Sequence, residues 1–518
     1  MSDPSSNVSP SASTAAIIAR IARIGVSDYR AFPSGPGYEW NLGADGRNLL
    51  LFGENGSGKT SLFRAIRDLM ATQPPPDNFS DLRHFFAPGT EGFISVGLTA
   101  GGSSEFRWDY GDPHPRETAG QPYALFAERC RFLDYRSLLE TNFVHRTPTP
   151  NLYQLLVNEV LRDLPVIIDG KQERLGNVHQ RMLNAKPSNH RSPRRLKSVD
   201  RACAAFSQTL VNHLPEVVKE GNRILDKMGQ GELVFDLQPK TVQYNRYERR
   251  FVGEEIALAV KLYGQPLAKP QLFLNEARLT ALALAIYLGS ARLILQSLAS
   301  SGDETTPVRL LVLDDVLIGL DLANRIPVLK VLNDEFSEWQ VLLFTYDRVW
   351  FDLAREYTEH TGRWACLVLR EIETVPGQPG RPHVVDANID LTQELLTKSE
   401  SHFVNGDLMA TAVYLRAAFE TRIKTVCRKH GVKVAYEPDP KNVSINQLWE
   451  AIVDRQKKRQ AAAQAAFMAP SLMQDVETVR STVLNRLSHS GTPTLVTSEL
   501  KFALDTIKLL REHQFTKV

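Results

Sequence analysis

The sequence predicts an α/β fold over residues 15–385 and an all-α region after it. A continuous apolar run at residues 48–52 leads into a glycine-rich loop and then into Ser61–Leu69, whose apolar residues have helical spacing. Leu310–Leu313 and Gln340–Phe344 are short apolar runs typical of parallel strands buried on both faces. From about residue 391 the pattern is helical to the end.

Further elements follow from local patterns. Alternating or β-branched apolar residues predict strands, in order, at 17–21, 26–32, 93–98, 105–109, 130–135, 233–237 and 255–262. A long apolar helix is predicted from Asn275 to Leu298. Residues 152–228 have helical composition around a polar tip, and they predict a short helical arm inserted between two parts of one head, 15–151 and 229–385. Residues 386–518 then form a separate helical domain.

The composition excludes several classes of protein. A chain of 518 residues is too long for one ordinary core, and 43% hydrophobic with 23% charged residues is typical of a soluble globular protein. The net charge of +2 excludes a surface that coats nucleic acid throughout. Four widely spaced cysteines favour a reducing cytosol over a disulfide framework or a zinc site. We expect no membrane span, a cytoplasmic location and a disordered tail at residues 1–14.

The glycine-rich loop predicts a phosphate-binding site. Its residues are Gly53, Glu54, Asn55, Gly56, Ser57, Gly58, Lys59 and Thr60, followed by Ser61. This is the Walker A pattern, in which glycines let backbone N–H groups converge on a phosphate at a helix N-terminus. Lys59 supplies a charge to the β- and γ-phosphates, and the Thr60 hydroxyl is a ligand for Mg²⁺. We therefore expect ATP with Mg²⁺ as the bound nucleotide.

A second motif lies at the end of the run from Leu310 to Leu313. Asp314 and Asp315 follow it directly, which is the Walker B pattern of a buried strand that ends in carboxylates. Asp314 is expected to hold Mg²⁺ through a water molecule, and Asp315 is expected to orient or deprotonate the attacking water.

These motifs together resemble the head of ABC-type ATPases of the SMC, RecN and RecF group over residues 17–370. Besides Walker A and the paired aspartates, the segment 274–285 resembles the signature motif of that group, and Gly319-Leu320-Asp321 resembles its D-loop. The segment 341–347, which contains Tyr346, occupies the place of the switch loop. The resemblance implies ATP hydrolysis with Asp315 and Tyr346 at the catalytic centre.

The same resemblance implies a site shared by two subunits. In this group the signature segment opens a helix whose N-terminus contacts the γ-phosphate on the opposite protomer. Asn275, Glu276 and Ala277 hold that position here, so they are expected to bind nucleotide in a homodimer or a higher even oligomer. The usual Ser-Gly-Gly is absent, the catalytic carboxylate is the shorter aspartate, and a tyrosine replaces the usual histidine. A tyrosine phenol ordinarily ionises near pH 10 and cannot act as a base near neutral pH. These departures predict slow hydrolysis.

The short arm and the sequence segments 313–321 and 344–350 also resemble the corresponding parts of ATPase subunits of bacterial anti-phage systems such as Septu, PARIS and retron-associated ATPases. The resemblance implies a sensor or scaffold that acts with a separately encoded nuclease or toxin. Two alternatives remain open. One is an SMC- or RecF-like DNA repair or recombination ATPase, with basic segments at 190–201 and 246–250 that contact DNA. The other is an ATP-gated RNase, because residues 386–518 resemble HEPN-type bundles, although the spacing of Arg480 and Arg486 from His489 departs from their Arg-x4–6-His pattern.

Overall fold

The structure is a computed structural model. It describes residues 19–35, 37–71, 78–86, 89, 91–99, 105–118, 123, 126–135, 151–168, 170–188, 192–299, 309–359, 361–372, 380–387, 391–434, 444–484 and 496–516. The predicted tail at 1–14 lies outside these residues. The chain divides into two compact units, residues 1–386 and 387–518.

The strands of the first unit, in chain order, are β1 (Ile21–Ser27), β2 (Tyr38–Asn41), β3 (Asn48–Gly53), β4 (Phe93–Leu98), β5 (Glu105–Asp109), β6 (Cys130–Asp134), β7 (Pro165–Ile168), β8 (Lys171–Arg174), β9 (Leu233–Pro239), β10 (Gln243–Asn245), β11 (Arg250–Val252), β12 (Ile256–Leu262), β13 (Gln265–Leu267), β14 (Leu310–Asp314), β15 (Gln340–Thr345), β16 (Trp364–Ile372) and β17 (Arg381–Asp386).

The helices of the first unit are α1 (Lys59–Leu69), α2 (Pro115–Thr118), α3 (Leu175–Asn184), α4 (Pro193–Lys227), α5 (Pro270–Phe273), α6 (Glu276–Ala299), α7 (Leu322–Glu335) and α8 (Arg348–Glu359). Those of the second unit are α9 (Leu391–Val404), α10 (Leu408–Lys429), α11 (Ile445–Ala461), α12 (Pro470–Val479) and α13 (Thr497–Glu512). A short 3₁₀ turn spans Phe79–Leu82, and π-helical turns span Leu155–Val160 and Arg480–Leu484.

The central sheet has the strand order β17-β16-β3-β15-β14-β6. All its neighbours are parallel except β16 and β17, which pair antiparallel. Every residue of β3, β14 and β15 is buried, as expected for continuous apolar runs covered on both faces. Because these three strands are parallel neighbours, their carboxyl ends meet at one edge of the sheet, and the segments that follow them lie side by side.

An antiparallel sheet, β2-β1-β4-β5, shares its core with β3 and α1. Here the prediction of two strands at 17–21 and 26–32 is wrong, because a single strand runs from Ile21 to Ser27. Residues 28–32 form a tight turn in which Asp28 and Arg30 have φ of 48° and 47°. The buried Asp28 carboxylate accepts hydrogen bonds from Arg83 (2.8 Å) and from the Gly89 amide (3.0 Å). This long-range ion pair, which local pattern cannot reveal, favours the turn over a strand.

The arm region differs from a simple pair of helices. A π-helical turn and the β7–β8 hairpin precede α3, which has 10 residues, whereas α4 runs for 35 residues. One face of α4 is buried from Val199 to Leu225, and a Cβ on Gly289 of α6 would lie 2.6 Å from the Gly221 nitrogen of α4. Helix α4 therefore packs closely against the apolar helix α6. Among the described helices, the segment Glu276–Ile294 is apolar and long enough to cross a membrane, and 78% of it is buried inside the unit.

Glu335, at the end of α7, connects three helices. Its carboxylate bonds to Arg223 (3.0 Å) and Lys227 of α4 and to Arg292 (2.6 Å) of α6. The hydrogen bonds from Arg223 and then Lys227 lower the pKa of Glu335 to about 2, against the effect of burial. A carboxyl with a lowered pKa stabilises the fold above its unfolded pKa of about 4.3, and this stabilisation is lost as the pH falls toward 2.

We expect Glu335→Gln to lower the free energy of unfolding of the first unit by about 2–4 kcal/mol at pH 7, because three cations lose their counter-charge. The difference from the unsubstituted chain should shrink as the pH falls from about 4.5 toward 2. Thermal unfolding followed by circular dichroism, at pH 7 and at lower pH, measures both the loss of stability and its dependence on pH. Glu338→Gln is the matched control, since Glu338 is an exposed partner of Arg309 and its loss should cost at most about 1 kcal/mol. Equal effects of the two variants would contradict this role.

The second unit is helical throughout its described residues, with a core that includes Trp449, Phe419 and Phe467. Arg480 is buried and donates hydrogen bonds to Glu477 (2.7 Å) and Asn446 (2.8 Å). Its guanidinium therefore joins α11 to the end of α12. Arg486 and His489, named above for a nuclease, lie outside the described residues.

Candidate nucleotide-binding site

The glycine-rich loop follows β3 and ends at the first turn of α1. Gly56 and Gly58 have φ of 88° and 105°, a region that favours glycine. A Cβ on Gly53 would lie 2.4 Å from Ser57 Oγ and 3.1 Å from the Leu369 carbonyl oxygen, so only glycine fits there. The Ser57 hydroxyl is buried and has no hydrogen-bond partner among the described residues. These features are those of a cradle for a phosphate at the N-terminus of α1.

Lys59 folds back over this loop. Its Nζ donates hydrogen bonds to the carbonyl oxygens of Gly53 (2.7 Å) and Glu54 (3.2 Å) and lies 3.9 Å from Asp315 Oδ2. The side chain is only 5% exposed. Burial lowers the pKa of Lys59, and the charges of Asp315 and Asp314 oppose that shift. Its ammonium thus lies where an anion bound to the loop could accept the two hydrogen bonds that the Gly53 and Glu54 carbonyls accept here.

Thr60 and Asp314 are brought together from positions 254 residues apart. The Thr60 hydroxyl donates a 2.8 Å hydrogen bond to Asp314 Oδ2. Asp314 Oδ1 is buried without a partner among the described residues. Burial, to which the charge of Asp315 adds, raises the pKa of Asp314 to about 6, although the hydrogen bond from Thr60 opposes the shift. A hydroxyl beside a carboxylate with a free, buried oxygen is a donor set that suits Mg²⁺, so these residues fit the predicted metal.

Asp315 has an unusual backbone conformation for a non-glycine residue. Its φ is 55°, and its amide donates to the Phe344 carbonyl of β15 (3.1 Å). Its Oδ1 accepts a 2.9 Å hydrogen bond from the Tyr346 amide. Burial raises the pKa of Asp315, while Lys59 and this hydrogen bond oppose the shift. The strained backbone aims the carboxylate back at the loop, which is the arrangement expected of a functional residue.

Tyr346 acts on this site in a way that the sequence analysis did not foresee. Its contribution to Asp315 is the backbone N–H, and its ring lies 6.0 Å from Lys59 Nζ. The side chain is half-exposed. A catalytic role for the Tyr346 phenol therefore stays a prediction. The backbone N–H of Tyr346 positions Asp315.

Arg325 of α7 joins the two loops that flank Asp315. It is buried and donates to the Leu320 carbonyl (2.7 Å) and to Asp347 Oδ2 (2.6 Å). Asp347 in turn accepts from the Trp350 amide (3.0 Å) at the start of α8. The sequence analysis missed Arg325, since nothing in its local pattern distinguishes it from an ordinary helix surface residue.

Asn275, Glu276 and Ala277 lie at the start of α6. The Asn275 side chain accepts a hydrogen bond from the Arg278 amide (3.0 Å), and Glu276 lies beside Gly319. Within the described part of the chain, no hydrogen bond or ion pair joins this trio to the glycine-rich loop. Just before it, Leu272 and Phe273 are 75% and 67% exposed. The start of α6 is thus an exposed surface with apolar side chains at its border.

A small cavity of about 200 Å³ lies beside Gly56, and the sequence analysis missed it as well. It is lined by Arg30, Phe85, Phe86 and Glu371, among others. The turn and the loop that form it are joined by hydrogen bonds from the Arg30 amide to the Leu82 carbonyl (2.8 Å) and between His84 Nδ1 and the Arg30 carbonyl (2.7 Å). Its walls come from four segments that are distant in sequence, so no single motif could have revealed it.

No protein-family model matches the chain, and no curated protein matches it. Among solved structures, an SMC head bound to the C-terminal winged-helix domain of ScpA has 12% identity and a TM-score of 0.39, and the match covers 71% of this chain and 98% of that one.

Two further SMC heads are similar. One, with an extended coiled coil, is bound to the C-terminal domain of ScpA from Pyrococcus furiosus; it has 11% identity and a TM-score of 0.39, covering 73% of this chain and 99% of that one. The other, from Thermotoga maritima, has 12% identity and a TM-score of 0.35, covering 71% and 100%. Because these scores are below 0.5, we base the function on the residues of the site. The chain has a mixed α/β fold with SMC head domains among its structural neighbours.

Proposed function

We propose that the chain binds MgATP and hydrolyses it slowly. The observation that carries this proposal is the cluster of Lys59, Thr60, Asp314 and Asp315. These residues come from two distant segments and lie within hydrogen-bond or ion-pair distance of one another. A cradle for an anion, a lysine above it, the buried carboxylate of Asp314 and the partly buried one of Asp315 together suit a nucleoside triphosphate with its cation.

Each residue has a distinct task in this proposal. The amides of the loop and Lys59 bind the β- and γ-phosphates. Thr60 and Asp314 would hold Mg²⁺, which offsets phosphate charge when bound. Asp315 accepts a proton from the attacking water as the new oxygen–Pγ bond forms and the bond between Pγ and the β–γ bridging oxygen breaks, which leaves ADP and phosphate. Tyr346, in the place of the usual switch histidine, supplies a backbone N–H to Asp315, which agrees with slow turnover.

We further propose that the active form is a homodimer or a higher even oligomer. Asn275, Glu276 and Ala277 form the exposed start of the otherwise buried helix α6 and would meet the nucleotide on a partner subunit. The exposed Leu272 and Phe273 beside them would be covered by that contact. The cavity beside Gly56, with its arginine and two phenylalanines, is suited to the base of the nucleotide.

The biological role that we propose is that of a sensor or scaffold in anti-phage defence, with a separately encoded nuclease or toxin as effector. The support for it is the resemblance of the phrases at 313–321 and 344–350 to ATPase subunits of such systems. Plaque counts on cells that express the gene with its neighbours test the role. We expect fewer plaques than in empty-vector cells and full restoration of plaques with Lys59→Ala.

Equal plaque counts with and without the genes, across a diverse phage panel, would overturn the defence role. If deletion of the gene from its own host instead raises sensitivity to DNA damage, the repair alternative is favoured. Neither outcome bears on whether the chain binds MgATP, because nucleotide binding is tested separately by calorimetry and turnover.

A further inference from the structure

A second polar cavity lies away from the nucleotide site, at the base of the arm. Its volume is about 510 Å³, a size that accommodates a small organic molecule. Its walls come from α2, the π-helical turn with the loop after it, β8 and the first turn of α3. None of the lining residues belongs to the glycine-rich loop, the paired aspartates or the start of α6.

Three arginines line this cavity: Arg116, Arg162 and Arg174. Arg174 is paired with Glu128. The side chains of Arg116 and Arg162 form no hydrogen bond or ion pair within the described part of the chain. Burial lowers the pKa of Arg162, and the charges of Arg116 and Arg174 add to that shift while Asp163 opposes it. The cavity therefore brings the half-buried Arg162 close to two further positive charges, those of the more exposed Arg116 and Arg174.

The carboxylates at the cavity do not offset this charge fully. Asp163 lines the cavity but is bonded to the buried Arg131 (3.4 Å), and Glu128 is used by Arg174. Glu159 is the other acidic lining residue. Arg116, Arg162 and Arg174 thus share the cavity with two lining carboxylates, Glu159 and Asp163, which leaves an excess of one positive charge among the lining residues. An anion with two negative charges would find two unpaired guanidinium groups here.

Backbone hydrogen bonds fix the position of Arg162 against the start of α3. The Gly176 amide donates to the Arg162 carbonyl (2.8 Å), and the Leu175 amide donates to the Leu164 carbonyl (3.0 Å). A Cβ on Gly176 would lie 2.6 Å from Arg162 Cγ, so glycine lets the arginine pass close over the first turn of α3. His179 also lines the cavity; it is 8% exposed, and its Nε2 has no hydrogen-bond partner in the described chain.

We propose that this cavity binds the phosphate group of a small organic phosphate, with Arg162 and Arg116 as the phosphate ligands. Paired guanidinium groups recognise phosphate through directed, charge-assisted hydrogen bonds, and the polar lining suits a sugar or similar body. The positive end of the α3 dipole adds a smaller attraction at the same place. The proposal does not depend on the nucleotide site.

The test compares ribose 5-phosphate with ribose, because the two probes differ in the phosphate alone. Isothermal titration and thermal unfolding are carried out on the full chain with Lys59→Ala, without Mg²⁺ and at constant ionic strength, so that the glycine-rich loop does not contribute. We expect saturable binding of ribose 5-phosphate, with a rise in unfolding temperature of about 1–2 °C at tenfold excess over Kd, and no binding of ribose.

Arg162→Gln and Arg116→Gln are each expected to weaken ribose 5-phosphate binding by roughly ten- to a hundredfold. Arg181→Gln is the matched control, since Arg181 lies on α3 beside the cavity, pairs with Glu173 and does not line the cavity; it should bind as the parent does. If Arg162→Gln fails to fold, the exposed Arg116 carries the test. Equal binding of ribose and ribose 5-phosphate, or unchanged binding in the foldable arginine variants, overturns the proposal.

Discussion

Replacing Lys59 with alanine is expected to weaken MgATP binding by at least about a hundredfold. In the structure the ammonium is buried over the glycine-rich loop and bonded only to backbone carbonyls and the Asp315 charge. A triphosphate would take over these bonds, and each charge-assisted hydrogen bond to phosphate contributes about 1.5–3 kcal/mol. Two such bonds correspond to a hundredfold or more in Kd.

Titration calorimetry with MgATP and the non-hydrolysable analogue measures this change. Arg67→Ala is the control, because Arg67 carries the same charge on the same helix but is exposed and turned away from the loop's lysine. It should leave Kd within about a factor of two. Circular dichroism establishes that both variants are folded. An unchanged Kd in the Lys59 variant would mean that the nucleotide lies elsewhere or is absent.

Asp315→Asn is expected to abolish most turnover while MgATP binding stays the same or becomes tighter. Asparagine still accepts the hydrogen bond from the Tyr346 amide, and it tolerates the φ of 55° better than alanine does. It cannot accept a proton, and loss of a general base lowers turnover by about a hundredfold or more. It also removes a negative charge that would face the γ-phosphate, which explains the expected direction for binding.

The measurement is steady-state phosphate release together with the MgATP Kd. Asp407→Asn is the control, because Asp407 caps α10 in the second unit by accepting from the Ala410 amide and asparagine caps equally well. Turnover in this control should stay within about twofold. Wild-type turnover in Asp315→Asn would assign the base to another group, and undetectable turnover in the unsubstituted chain would reduce the proposal to nucleotide binding.

Much of the site could be predicted from the sequence because its chemistry is local. Residues 48–60 contain a buried strand, a glycine turn and a helix start in one stretch, and each requirement is met by neighbours along the chain. The paired aspartates at the end of β14 could be predicted from the sequence for the same reason. The positions of Asp28, Arg30 and Arg325 could not be predicted from the sequence, because each depends on a partner from a remote segment.

The sequence by itself determined that a phosphate loop follows a buried strand and that two carboxylates end another, since apolar runs, glycines and charges act over a few residues. Only the tertiary structure decided that Thr60 meets Asp314, that the Tyr346 backbone holds Asp315, and that Glu276 at the exposed start of α6 lies beside Gly319. The physical reason is that parallel strands place distant segments side by side at their carboxyl ends, and the order of those strands is set by packing across the whole sheet.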